Sequence, residues 1–67
     1  MKTKISLKAA RVNADLTLTE AAKKLDINRN TLIKREKEPW MISALYMDKI
    51  SKAYNISIDN INFLPKD

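Results

Sequence analysis

Residues 16–36, LTLTEAAKKLDINRNTLIKRE, have the pattern of two short helices joined by a tight turn. Thr17 and Glu20 have the spacing of a capping box, in which each side chain accepts a hydrogen bond from the other residue's backbone N–H. Asp26 tolerates the left-handed backbone that ends a helix, and Asn28 is a suitable N-cap for the second helix. The apolar residues of the first helix recur at helical spacing, at Leu18, Ala21, Ala22 and Leu25.

Similar signals flank this pair of helices. Ser6, Ser43 and Ser57 each precede a segment with apolar residues at helical spacing, and each can act as an N-cap. With 67 residues, the chain is near the lower size limit for independent folding, so we expect one domain over residues 1–67. The expected fold is a compact, all-α bundle of five short helices. These helices span about residues 7–13, 18–25, 29–36, 44–54 and 58–63.

The expected fourth helix has one apolar face. Leu45 falls outside this face when successive residues are rotated by about 100° each. The spacing favours a core-facing stripe over a cofactor site. The stripe is formed by Tyr46, Met47, Ile50, Ala53 and Tyr54.

The residue types that are missing exclude several classes of function. The chain has no Cys, His or Gly, which removes disulfides, the usual zinc ligands, the commonest general base and glycine-rich phosphate loops. The acidic residues form no convincing close pair, so we expect neither an enzyme nor a site for a metal, a cofactor or a small-molecule ligand. No apolar run has membrane-spanning length and no signal-peptide pattern is present, so we expect a soluble, cytoplasmic protein.

Basic charge is concentrated in the first part of the chain. Residues 1–38 carry ten Lys or Arg and five Asp or Glu, a net charge of +5, whereas residues 39–67 carry three of each and are neutral. Lys2 and Lys4, near the start of the chain, either reach a phosphate or are simply solvated. This asymmetry favours a polyanionic partner, with nucleic acid first and an anionic membrane surface second. The simplest alternative is that the charge only maintains solubility.

The helix-turn-helix pattern resembles that of the lambda-repressor-like family, which includes the phage Cro proteins. The resemblance extends to residues 5–11 and 52–57, and therefore covers nearly the whole chain. It implies a sequence-specific transcriptional repressor, similar to a small phage Cro regulator, that binds double-stranded operator DNA as a homodimer, with its third helix in the major groove. The matching residues are Leu16, Thr17, Glu20, Ala22, Leu25, Ile27, Arg29, Thr31, Leu32 and Glu36.

The resemblance also implies an ion pair and reveals two departures. Arg11 lies on the apolar face of the first helix, and the family pattern pairs such an Arg with the acid at Glu36. The alternative is a surface Arg whose stem packs on the protein. Leu18 stands where the family usually has a phosphate-binding Gln, so Thr19 or a backbone N–H is expected to replace that contact. Arg35 stands where the family usually has a large apolar residue.

The solvent-facing arc of the expected third helix has the chemistry that base contacts require. Arg29, Asn30, Ile33 and Lys34 fall within an arc of about 140°, with Leu32 on the core side. Arg suits guanine, Asn suits adenine and Ile suits the thymine methyl group, so we expect these four side chains to contact bases. Contacts to phosphates are expected from Asn28, Thr19, Lys37 and Thr31.

Two apolar segments leave alternatives open. Trp40, in the loop after the third helix, either folds back over the core or forms a partner-binding patch with Met41. The strip formed by Ile58, Ile61, Phe63 and Leu64 is the expected dimer contact. Together these segments also allow a protein-interaction module, such as an antirepressor or an antitoxin partner, as the alternative function.

Overall fold

Four α-helices follow one another in the computed structural model, which describes residues 4–64 of the chain. They span Leu7–Asn13 (α1), Leu18–Leu25 (α2), Arg29–Lys37 (α3) and Ala44–Tyr54 (α4). These bounds confirm the first four expected helices to within one residue. The molecule measures 32 × 22 × 19 Å along its principal axes. Lys2 lies outside the described residues.

Side chains adjacent to the helices determine where the helices begin and end. At α2, the Thr17 hydroxyl accepts from the Glu20 N–H at 3.1 Å, and the Glu20 carboxylate accepts from the Thr17 N–H at 2.9 Å, which confirms the capping box. Ser6 caps α1 and Ser43 caps α4 in the same way, through a hydroxyl that accepts an N–H three residues on. The helix α2 ends at Asp26 and α4 at Asn55, whose φ angles of 57° and 52° are left-handed.

One apolar core lies between the helices, and α4 crosses it. Ile50 and Tyr54 of α4 are buried, and Tyr46 and Met47 pack against the core from the same helix. Leu45 is 71 % exposed, so the predicted apolar face of α4 is confirmed. The remaining buried apolar side chains are Leu7, Ala10, Ala21, Ala22, Leu25, Leu32, Ile42, Ile61 and Phe63.

The expected fifth helix is wrong. A single 3-10 turn, Ile58–Asn60, is followed by extended chain, in which Ile61 forms a parallel bridge with Ile5. The Ile5 N–H donates to the Asn60 carbonyl at 2.9 Å, and the Asn62 N–H donates to the Ile5 carbonyl at 2.8 Å. Burial therefore alternates with the period of an extended chain rather than that of a helix.

The expected dimer strip is not a continuous surface, because the same alternation turns half of it inward. Ile61 and Phe63 are only 1 % and 8 % exposed, whereas Leu64 is 68 % exposed. Ile58 is partly buried and packs against the core. Two of the four side chains therefore complete the core of one molecule and cannot contact another.

Of the two alternatives for Trp40, the structure contradicts the one in which it folds back over the core. Pro39–Met41 forms a 3-10 turn with the proline in its first position, where the fixed φ of proline is compatible with helix. Trp40 is 45 % exposed and Met41 is 56 % exposed. Ile42, directly after the turn, is the residue that enters the core.

Candidate nucleic-acid interface

The helix α3 is capped at its start and is held to the domain in its middle and near its end. At its start, the Asn28 side-chain oxygen accepts from the Asn30 N–H at 2.7 Å. In its middle, Leu32 is the single buried residue of the helix. Near its end, the Glu36 carboxylate accepts from the Arg11 guanidinium at 2.7 Å. These attachments leave most of the surface of α3 accessible.

Arg11 joins three segments of the chain. Its Nε donates to Glu36 and its Nη1 donates to the Leu16 carbonyl at 2.8 Å, so the side chain connects α1 to the residue that precedes α2 and to α3. The two ionic side chains are 8 % and 10 % exposed. Arg11 is therefore not a surface residue with a packed stem. A buried charge that is both paired and hydrogen-bonded is tolerated, whereas an unpaired one is costly.

The ion pair also changes the charge that α3 presents to solvent. Glu36 is the single acidic residue of this helix, and its carboxylate is nearly buried against Arg11. The basic side chains of α3 therefore have no accessible acid on their own helix. They are Arg29, Lys34, Arg35 and Lys37.

Three of the four predicted base-contacting residues are exposed on α3, namely Arg29, Asn30 and Lys34. Ile33 is partly buried, rather than exposed as we expected. At about 100° per residue, Ile33 is nearer than Lys34 to the side of Leu32, which accounts for the difference. Part of the Ile33 side chain nevertheless remains accessible beside these polar groups.

The predicted phosphate-contacting residues lie on two helices and in the turn between them. Thr31 and Lys37 are exposed on α3, and Thr19 is exposed on the first turn of α2. The Asn28 oxygen is occupied as the cap of α3, so this side chain has its amide N–H groups for an outside partner.

The two departures from the family pattern have structural explanations. Leu18 is partly buried and packs against the core at the start of α2, so it contributes packing where a Gln would contribute a polar contact. Arg35 is also partly buried and lines a groove of about 350 Å³. Met41 and Tyr46 line the same groove, so Arg35 stands among apolar side chains, as a long cation with an apolar stem can.

Tyr54 lies close to the ion pair and was predicted only as a core residue. Its hydroxyl is buried and has no hydrogen-bond partner among residues 4–64. The pKa of Tyr54 is raised to about 12, mainly by burial and also by the Glu36 carboxylate, while Arg11 opposes the shift. The phenol is therefore neutral at physiological pH. Nothing in the sequence distinguishes Tyr54 from an ordinary core tyrosine.

Metal-ion clusters and membrane-spanning helices are both absent from residues 4–64. This part of the chain contains no cluster of three or more His, Cys, Asp or Glu side chains suited to a metal ion. None of its helices is long and apolar enough to cross a membrane.

Comparison with protein families gives a match over most of the chain. A family model described as "Helix-turn-helix" matches residues 7–61, which include all four helices. Comparisons with curated proteins and with solved structures returned no match. The chain belongs to the lambda-repressor-like helix-turn-helix family, whose members are DNA-binding transcription regulators.

Proposed function

We propose that this protein is a sequence-specific transcriptional repressor of the Cro type, with α2 and α3 as its helix-turn-helix. The observation that carries this proposal is the accessible basic surface of α3, whose only acid is buried against Arg11. The B-DNA major groove admits an α-helix and presents a different pattern of donors and acceptors for each base pair. An operator bound in this way would be closed to RNA polymerase.

Base contacts are proposed for the accessible side of α3. Arg29 can donate two hydrogen bonds to one guanine, and Asn30 can bond both the donor and the acceptor of one adenine. Lys34 can reach a guanine or a neighbouring phosphate. The accessible part of Ile33 can pack on a thymine methyl group, a contact that needs only one face of the side chain.

Phosphate contacts are proposed on either side of the bases. Thr19 and the N–H groups at the start of α2 would bind one strand, since helix N-termini favour anions. Lys37 and Thr31 would contact the backbone from α3, and the Asn28 amide would do so from the turn. Such contacts position the protein on DNA without themselves specifying sequence.

Two copies of the chain are proposed to bind one operator. A single α3 contacts only a few base pairs, which is too little to specify one site in a genome. Half-sites of a pseudo-palindrome are about 34 Å apart, one turn of the duplex. The longest dimension of the domain is 32 Å, so two copies on adjacent half-sites can touch.

A protein-interaction module is the second candidate function. It is favoured by one observation, the exposure of Trp40 and Met41 directly after α3. A module of this kind would not bind duplex DNA, so a DNA-binding assay separates the two functions.

Selection of bound sequences from a random duplex library, followed by titration of the selected duplex at several salt concentrations, tests the proposal. We expect a preferred sequence and an affinity that falls steeply with salt, by a log–log slope of about 0.9 for each phosphate neutralised. Lys37→Ala should lower the slope by about one such contact. Lys52→Ala is the matched control, because Lys52 lies on α4 and pairs with Asp48. A flat salt response, or no sequence preference, would contradict the proposal.

A further inference from the structure

Exposed apolar side chains are concentrated directly after α3. The exposed fractions are 45 % for Trp40, 56 % for Met41 and 71 % for Leu45. We propose that these three residues form the surface on which a second copy of this chain docks. The proposal rests on the proposed operator binding and deepens it, since it locates the contact between the two copies. We call the three residues the 40–45 patch.

The three residues lie within six consecutive positions of the chain. Five residue steps separate Trp40 from Leu45, which limits their separation to about 18 Å even for extended chain. The 3-10 turn Pro39–Met41 and the first turn of α4 shorten it further. Isolated exposed apolar residues need no explanation, whereas a group of large ones indicates an interaction surface.

A groove of about 350 Å³ adjoins the patch, with Met41 in its wall. Most of its other lining side chains are apolar, including Ile27 and Tyr46. A twofold contact requires a surface that is complementary to itself. A protruding aromatic residue beside an apolar groove meets that requirement, because each copy can insert Trp40 toward the groove of the other.

The distribution of charge favours a second copy as the occupant. Each molecule has a net charge of +5, so two copies repel each other across most relative orientations. Residues 39–67, which contain the patch, are neutral overall. From α3 the groove is lined by Thr31, Leu32 and Arg35, so contact there leaves Arg29, Asn30 and Lys34 free for DNA.

The available area predicts a weak contact. About a tenth of a small protein's surface is typical for one side of an interface. For a total surface of 4922 Å², that fraction gives about 1000 Å² buried by the two copies together. This area is at the lower end for specific association, so the contact should be weak in free solution and populated when DNA holds two copies side by side.

The fluorescence of Trp40 provides a direct test, because it is the only Trp in the chain. The full chain is mixed with the selected full-site duplex and, separately, with a duplex that carries one half-site. Burial of the indole against a second copy should shift its emission to shorter wavelength on the full site only. An equal shift on both duplexes would show a contact to DNA, and no shift on either would show a free patch; both results overturn the proposal.

Variants separate this contact from operator binding itself. Leu45→Gln and Trp40→Gln should each weaken full-site binding about tenfold, as truncation of a central interface residue commonly does, and leave half-site binding within about twofold. Val12→Gln is the matched control, since Val12 is 53 % exposed on α1. Leu64→Gln tests the remaining exposed residue of the C-terminal strip. The proposal is overturned if Leu64→Gln weakens full-site binding and both patch variants preserve it. If the parent binds no duplex, the proposed function fails, and sedimentation at increasing protein concentration then tests the patch alone.

Discussion

The helices α2 and α3 are similar in length and adjacent in the chain, but they are held in the domain by different forces. The helix α2 buries three apolar side chains, Ala21, Ala22 and Leu25, among eight residues. The helix α3 buries only Leu32 among nine. Hydrophobic burial stabilises α2 along its length, whereas α3 depends on its cap, one leucine and one ion pair.

This difference shows how a domain of 67 residues can expose a binding surface on a regular helix. An apolar stripe of normal width would use more than a quarter of the circumference of α3 for packing. A charged pair attaches the end of α3 through one narrow contact, and the rest of the helix remains available. We therefore expect α3 to be more sensitive than α2 to the loss of a single polar group.

The largest expected effect is that of Arg11→Ala on folding. Removal of the guanidinium leaves the Glu36 carboxylate, which is 10 % exposed in the parent, without its partner, and it also removes the donor to the Leu16 carbonyl. Breaking one side of a buried pair costs about 3–5 kcal/mol, a large fraction of the stability of a small domain. Thermal or urea unfolding of the parent and the variant measures this loss.

The exposed ion pair of α4 provides the control for this experiment. Lys52 and Asp48 are 3.1 Å apart, but their side chains are 79 % and 56 % exposed. Lys52→Ala should therefore change stability by less than about 1 kcal/mol. The double variant Arg11→Met/Glu36→Leu should be more stable than Arg11→Ala, because it leaves no buried charge. If Arg11→Ala unfolds at the same temperature or urea concentration as the parent, α3 is held mainly by Leu32.

The second effect concerns DNA affinity and distinguishes the surfaces of the two helices. Arg29→Ala and Asn30→Ala should each weaken binding to the selected duplex by about 1–3 kcal/mol and relax the preference at one base pair. Stability should change little, since both side chains are exposed. Competition binding with point-substituted duplexes measures the two effects separately.

A cation on α2 provides the matched control. Lys24 is exposed near the C-terminal end of α2 and lines a groove with Lys49 and Lys52 of α4, away from the proposed interface. Lys24→Ala should leave the selected sequence unchanged. An unchanged selected sequence for the combined variant Arg29→Ala/Asn30→Ala/Ile33→Ala would show that bases are contacted from another element.

Local signals in the sequence predicted the helices well because those signals act locally. A capping box, an N-cap or a left-handed stop needs only neighbouring residues, as Thr17, Asn28 and Asp26 illustrate. The arc of α3 also followed from helical geometry alone. The pairing of Arg11 with Glu36 spans 25 positions, and only the family resemblance suggested it.

The errors occurred where distant segments compete for the core. Ile58, Ile61 and Leu64 have helical spacing, yet pairing with Ile5 converts this segment to extended chain and buries Phe63 in place of Leu64. Trp40 was expected either to fold back over the core or to form a patch, but it is 45 % exposed and Ile42 is buried instead. Local periodicity cannot reveal which of two neighbouring apolar side chains packs into the core.

The smallest expected effect concerns the N-terminal caps of α2 and α3. The hydrogen bonds from the backbone and side chain of Thr17 lower the pKa of Glu20 below its ordinary value. A carboxylate with a lowered pKa contributes stability above the unfolded value of about 4.3, and this contribution disappears as the pH falls through the lower, folded value. The start of α3 is capped by Asn28, a neutral amide, so acid should weaken the cap of α2 and leave that of α3 intact.

The variant Glu20→Gln isolates this contribution. A glutamine can still accept from the Thr17 N–H, so the capping box persists while the titrating group is removed. Thermal midpoints of the parent and of Glu20→Gln should converge as the pH is lowered from 7 to 3, because the parent alone loses the charged form of its cap. Asn28→Ala should lower the midpoint by the same amount at both pH values, since its cap carries no charge. Parallel acid dependence in the parent and Glu20→Gln would show that other carboxylates determine the acid stability of the domain.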